Sequence, residues 1–204
     1  MGAYFMLWLV ITSPSFFPGE AAFIHRLFAH GVDIVHLRKP GATSEECARL
    51  LDGLTSDDRR RIVIHDFFEF AEPYGLKGIH LNARRSTVSD GYEGHVSRSC
   101  HSLEEVKRYK DACDYVFLSP IFDSVSKQGY ASAFTDATLC QASCDGIIDH
   151  KVVALGGVTP DKIGYLRRLG FGGAAMLGCV NSLAALPESR QIEALKVVRQ
   201  SVKG

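Results

Sequence analysis

The stretch "SRSCHSLEEV", residues 97 to 106, crowds a thiol, an imidazole and three hydroxyls just ahead of helix-like sequence. An imidazole one position outside a helix start can take and return a proton, so His101 is a candidate acid/base. The competing reading is a satisfied loop residue. Cys100 beside it reads as a small buried hydrophobe rather than a nucleophile. A second stretch, "VVALGGVTPDKI", runs an apolar segment into Gly156-Gly157 and then a Thr-Pro helix start. Glycines let backbone N–H groups approach an anion, and a helix N-terminus favours negative charge, so this is a candidate phosphate seat. Gly178 in "AAMLGCVNS" supplies its partner loop. The alternative is a tight turn that needs glycine for geometry alone. A third stretch, "LSPIFDSVSKQGY", offers Ser124, Ser126 and Lys127, whose hydroxyls and ammonium suit a phosphate or pyrophosphate. The competing reading is a surface loop with a solvated Lys.

These groups need elements to hold them. Apolar runs at Met6–Ile11, Ile34–Leu37, Ile62–Ile64, Gly78–Leu81, Gly94–Ser97, Tyr115–Leu118, Val152–Leu155 and Gly173–Leu177 predict eight strands. Most are apolar on successive residues, as strands buried on both faces are. Between them lie helix signals: capping-box patterns at Thr43-x-x-Glu46, Asp66-x-x-Glu69 and Ser102-x-x-Glu105, and helix openings at Thr159-Pro160 and Pro187. This alternation predicts a single-domain α/β (β/α)₈ barrel over residues 1–204, with an open doubly wound sheet as the competitor. On a barrel the residues just after each strand form the rim where sites are built. They are Arg38 and Lys39, His65 and Asp66, Asn82, Ser99 and His101, Ser119 through Lys127, Gly156-Gly157, and Gly178. Asp66 reads two ways, as a helix cap or as a rim carboxylate that could bind Mg²⁺, and the cap is the favoured reading.

Lys+Arg and Asp+Glu are equal at 23 each, so no overall field draws in nucleic acid or an anionic membrane. The apolar start of the chain is too short to span a bilayer. The six cysteines form no CxxC pair, and a cytoplasmic protein with free thiols is expected.

In combination, "HLRKPG", "VIHDFFEFA", "GIHLN", "SCHSLEEVKRYKDACDYVFLSPIFDSVSKQG" and "VVALGGV" resemble the thiamine-phosphate synthase and thiazole tautomerase (TenI-like) superfamily, over about Leu9 to Val180. The resemblance implies a compact barrel whose ligand is a thiazole phosphate. The synthase branch joins that thiazole to a pyrimidine carried as a pyrophosphate, with Mg²⁺. The tautomerase branch moves one proton and uses no metal. By resemblance Arg38, Ser99 and Lys127 match synthase site residues, Asp66 the first metal-binding Asp, and Ser124 and Ser126 thiazole-side hydroxyls. Gly156-Gly157 match the phosphate loop. The chain departs from the synthase pattern at Pro40, where a Lys is expected and Lys39 stands adjacent. It departs again at His65, where Asn is expected, and at Arg84 or Arg85, where a second metal-binding Asp is expected. "CHSLEEV" resembles the tautomerase loop, whose His is the acid/base.

The leading expectation is therefore a thiazole tautomerase with His101 as catalyst and no cofactor. The alternatives are a Mg²⁺-dependent thiamine-phosphate synthase and a non-catalytic sensor of thiazole or thiamine phosphates. The expected partner is the phosphorylated thiazole, and the resemblance implies a homodimer or higher assembly.

Overall fold

The computed structural model describes residues 6–123 and 134–204. Eight parallel strands, β1 (Leu7–Ile11), β2 (Ile34–Leu37), β3 (Ile62–Ile64), β4 (Gly78–Leu81), β5 (His95–Cys100), β6 (Tyr115–Leu118), β7 (Val152–Ala154) and β8 (Gly173–Met176), pair in sequence order. The ring closes between β1 and β8, where Leu9 lies opposite Ala175. The expected barrel is what forms, and the open sheet is excluded.

Alternate strand residues serve two cores, because successive side chains leave a strand on opposite faces. Leu9, Ile11, Ile34, Val63, Tyr115, Phe117, Val153 and Ala175 fill the barrel interior. Their neighbours Trp8, Val10, Val35, Leu37, Ile62, Ile64, Val116 and Leu118 face the surrounding helices. This double burial explains the near-continuous apolar runs. The helices are α1 (Glu20–Ala29), α2 (Ser44–Asp52), α3 (Ser56–Arg59), α4 (Leu103–Tyr109), α5 (Asp136–Cys144), α6 (Ile163–Arg168), α7 (Gly178–Asn181) and α8 (Glu188–Lys203). Among the described residues no helix is long and apolar enough to cross a membrane.

The Thr43 capping box forms as expected: its hydroxyl accepts from the Glu46 N–H, and the Glu46 carboxylate accepts from the Thr43 N–H. The box expected at Asp66 does not. Phe67 takes a left-handed conformation, φ 55°, and a short 3₁₀ turn over Phe68–Phe70 follows with no side-chain cap. Asp66 is therefore not a helix cap. The correction frees its carboxylate for another role.

Candidate active site

The C-terminal ends of the strands gather most of the expected rim residues, and the two sides of this mouth are built differently. On the side of β6, β7 and β8 the chain presents backbone. After β6 the segment Ser119–Asp123, with a cis peptide before Pro120, folds against the loop after β7. Phe122 N–H donates to the Gly156 carbonyl at 3.1 Å, and Ile121 N–H to the Leu155 carbonyl at 2.9 Å. Gly156 and Gly157 have φ 93° and 61°, a region side-chain-bearing residues avoid. A Cβ on Gly157 would stand 2.4 Å from the Asp123 carbonyl oxygen, and one on Gly156 2.8 Å from Pro120 Cα. Both glycines are thus required by close approach of the two loops. Gly178 is exposed and opens α7. Ser124, Ser126 and Lys127 lie outside the described residues.

His101 stands on the same rim. Ser102 caps α4, its hydroxyl accepting from the Glu105 N–H at 3.1 Å, while the Glu105 carboxylate accepts from the His101 N–H at 2.6 Å. Pinned this way, the exposed His101 side chain reaches Ser119, its Nδ1 lying 3.1 Å from the carbonyl oxygen. A carbonyl only accepts, so a neutral ring carries its hydrogen on Nδ1 and places the lone pair on Nε2, which has no hydrogen-bond partner among the described residues. Through Ser119 and Pro120 the imidazole is continuous with the Gly156 loop. Cys100 is fully buried and its thiol is pushed up to about 12 by that burial, which makes it an inert core residue.

On the side of β2, β3 and β4 the chain presents side chains. Lys39, expected on the rim as a ligand cation, is 3% exposed. Its Nζ donates to both Glu20 carboxylate oxygens at 2.6 and 2.7 Å and to the Ser15 carbonyl at 3.0 Å. Burial pulls each partner toward its neutral form and the contact opposes this. Lys39 ties β2 to α1 and is corrected from ligand to structural cation. Arg38 is half-buried, and its backbone N–H donates to the Thr12 hydroxyl at 3.0 Å.

Asp66 Oδ2 is a buried oxygen with no hydrogen-bond partner among the described residues. Arg84 Nη2 lies 3.7 Å from it, near enough for charge attraction but too far for a hydrogen bond. An orphaned carboxylate oxygen on the rim fits one coordination position of a hydrated Mg²⁺, which commonly takes one or two protein carboxylates and fills the rest with water and substrate phosphate oxygens.

The interior floor of this side was missed by the sequence reading except for His65. His36, His65 and His80 point into the barrel from β2, the end of β3 and β4, each 5% exposed or less. His36 Nδ1 meets His65 Nε2 at 2.9 Å, and His36 Nε2 meets the Tyr115 hydroxyl at 2.7 Å. His80 is held between Ser97 and Ser99, both at 2.8 Å, and stacks on His65 with centroids 4.1 Å apart. Burial, then the neighbouring histidines, drives His36 and His65 well below the usual imidazole range; burial with nearby His95, Arg98 and Arg38 takes His80 to about 3. All three are neutral at pH 7. Ser99, expected among the catalytic groups, serves His80. The signal that could have found this floor is position: His36 lies two residues after inward Ile34, and His65 two after inward Val63.

The sequence profile of the family described as thiamine monophosphate synthase matches residues 8–180. The chain belongs to that family. It is similar to a thiamine-phosphate synthase from Halalkalibacterium halodurans, 28% identical over 72% of this chain and 74% of the relative. One from Acidothermus cellulolyticus is 26% identical over 85% and 84%. A solved structure described as thiamine phosphate pyrophosphorylase from Bacteroides thetaiotaomicron superposes with TM-score 0.86 at 42% identity, covering 96% of this chain and 97% of that one. The resemblance read from the motifs is thereby borne out.

Proposed function

We propose that this family member is a thiamine-phosphate synthase, joining a pyrimidine carried as its pyrophosphate to a thiazole phosphate. The reading that led from sequence, a thiazole tautomerase, gives way to its alternative. What carries the change is the 42% identity, over nearly the whole of both chains, to a structure described as a thiamine phosphate pyrophosphorylase. The curated relatives bearing the synthase name support it.

The reaction asks for two anion seats in one mouth. A bond forms between the thiazole nitrogen and the pyrimidine methylene carbon while the bond from that carbon to pyrophosphate breaks. The two unlike sides of the rim suit the two cargoes. Backbone around Gly156, Gly157 and Gly178, with Ser124 and Ser126, would hold the thiazole phosphate. Arg38, Asp66 and Lys127 would attend the pyrophosphate, the two cations through charge-assisted hydrogen bonds. A Mg²⁺ ion held by Asp66 and the substrate's own phosphate oxygens would supply further charge neutralisation. Fixing both partners by their phosphates brings the reacting atoms together, the source of much of the rate advantage in a two-substrate reaction.

The test supplies pyrimidine pyrophosphate and thiazole phosphate with Mg²⁺ and follows released pyrophosphate and thiamine phosphate. Both should appear in equal amounts, and Asp66→Asn should raise the Mg²⁺ needed for half-maximal rate at least 10-fold. Absence of product from folded protein would overturn the proposal. A separate incubation with the non-aromatic thiazole tautomer addresses the second reading, which the free Nε2 of His101 favours. Isomerisation there, without synthesis, would restore the tautomerase.

A further inference from the structure

Among the described residues, one group of three or more potential metal ligands lies close enough to share an ion, and it is not at Asp66. It is the interior trio His36, His65 and His80, whose candidate ligand atoms all lie within 4.8 Å of one another. We infer that these three imidazoles form a buried binding site for a divalent first-row transition ion of the zinc type, separate from the rim carboxylate.

Three observations carry this. The ligands come from three adjacent strands of a closed barrel, so their backbone positions are fixed by the sheet. The other ring nitrogens of His36 and His80 are already held by hydroxyls that would orient them. Ser97 Oγ, which has the Ile79 carbonyl as an acceptor at 3.4 Å, can accept from His80 Nδ1–H, which leaves the lone pair on His80 Nε2. Tyr115 can likewise accept from His36 Nε2–H, which leaves the lone pair on Nδ1, facing His65 Nε2. Hydroxyl or carbonyl support of the distant ring nitrogen is how protein zinc sites orient their histidines. Finally, His65 sits at the rim end of the group and is 5% exposed, which gives an ion a way in from the mouth.

A tetrahedral ion with Zn–N bonds of about 2.0–2.1 Å sets its nitrogens roughly 3.3 Å apart. Loading exchanges the His36–His65 and His80–Ser99 hydrogen bonds for three metal–nitrogen bonds, and it turns the His80 ring out of its stack on His65. The chemistry of the donor set selects the ion. Neutral imidazoles suit Zn²⁺, Co²⁺, Ni²⁺ or Cu²⁺, whereas Mg²⁺ prefers oxygen. The inference does not depend on the synthase reading.

The full-length protein, stripped with EDTA and dialysed, would be titrated with Co²⁺ and Zn²⁺. Bound metal is read by elemental analysis, and site geometry by the visible absorption of Co²⁺. One ion per chain is expected, with the intense visible absorption of low-coordinate Co²⁺. His36→Gln, His65→Asn and His80→Asn should each weaken binding at least 100-fold, and Tyr115→Phe roughly 10- to 100-fold. Asp66→Asn should leave it unchanged. A second measurement needs no substitution: Cu²⁺ bound to the wild-type chain should show electron-resonance splitting from three nitrogens. Sub-stoichiometric binding, a Cu²⁺ spectrum with fewer than three nitrogens, or loss of the ion in Asp66→Asn would overturn the inference.

Discussion

The two sides of the barrel mouth are built of different material. On the proposed reading the side of β6, β7 and β8 would offer an anion its main chain. The side of β2, β3 and β4 offers side chains: Arg38 and Asp66 at the rim, and beneath them His36 bonded to His65 and Tyr115, and His80 bonded to Ser97 and Ser99. A backbone seat depends on loops approaching closely, so it tolerates almost no added atom. A side-chain seat depends on which groups remain unpaired once the network is satisfied. In this protein that sorting separates Lys39, which is fully engaged, from Asp66, which is not.

The sorting is broken most forcefully at Lys39. Breaking a buried ion pair by removing one partner leaves an uncompensated charge, which typically costs about 3–5 kcal/mol. Lys39→Ala should therefore lower the urea-unfolding free energy by about that amount, while the apolar pair Glu20→Leu with Lys39→Met should recover most of it. Recovered stability with recovered turnover confirms a structural cation. A doubly substituted protein that folds well yet loses pyrophosphate affinity would return Lys39 to the ligand set and erase its contrast with Asp66.

How much of this was legible follows the same division. β2, β3, β4 and β6 were bounded correctly because each is an apolar run buried on both faces. β5 was expected at Gly94–Ser97 but spans His95–Cys100, because its inward Ser97 and Ser99 face His80 and broke the apolar pattern. α1 gave no start signal, since Gly19 opens it in a left-handed conformation without a side-chain cap. The glycine loops could be read from spacing, because a strand followed by Gly-Gly and a Thr-Pro helix start has few other uses. The histidine floor could be read only in part: the two-residue spacing from Ile34 and Val63 turns His36 and His65 inward, but that they meet His80 is decided by barrel closure and register. Asp66 misled for a local reason: the left-handed turn at Phe67 destroys the box that its spacing to Glu69 promised.

The backbone side is sharpened at Gly157. A Cβ there meets the Asp123 carbonyl at 2.4 Å, on a residue whose φ of 61° already disfavours side chains. Gly157→Ala should cost about 1–3 kcal/mol in unfolding free energy, the scale of a strained backbone position. It should also raise the KM for thiazole phosphate at least 10-fold while moving the KM for the pyrimidine pyrophosphate far less. An equal rise for both substrates would mean that the loop shapes the whole mouth, and an unchanged thiazole KM would reduce it to a packing joint.

The smallest effect is expected at His101, where the two chemical readings of this rim part company. Its side chain is exposed and its hydrogen bonds in the fold go to a carbonyl and a hydroxyl of one residue, Ser119. Removing it takes a hydrogen-bond partner from buried Ser119, but the exposed ring leaves a space that water can enter, so the thermal midpoint of His101→Ala should fall by only a few degrees. On the proposed synthase reading the phosphate seats would carry the chemistry, so thiamine-phosphate formation should fall less than 10-fold. Proton transfer on the thiazole would instead run through the Nε2 lone pair, and the same substitution would lower that rate by the 10²–10⁴ characteristic of a lost general acid/base. Measuring both rates on the one variant separates a bystander imidazole from a catalyst. A collapse of the synthase rate with the fold intact would place His101 in the joining reaction itself and would make the β5 end of the rim a third working region.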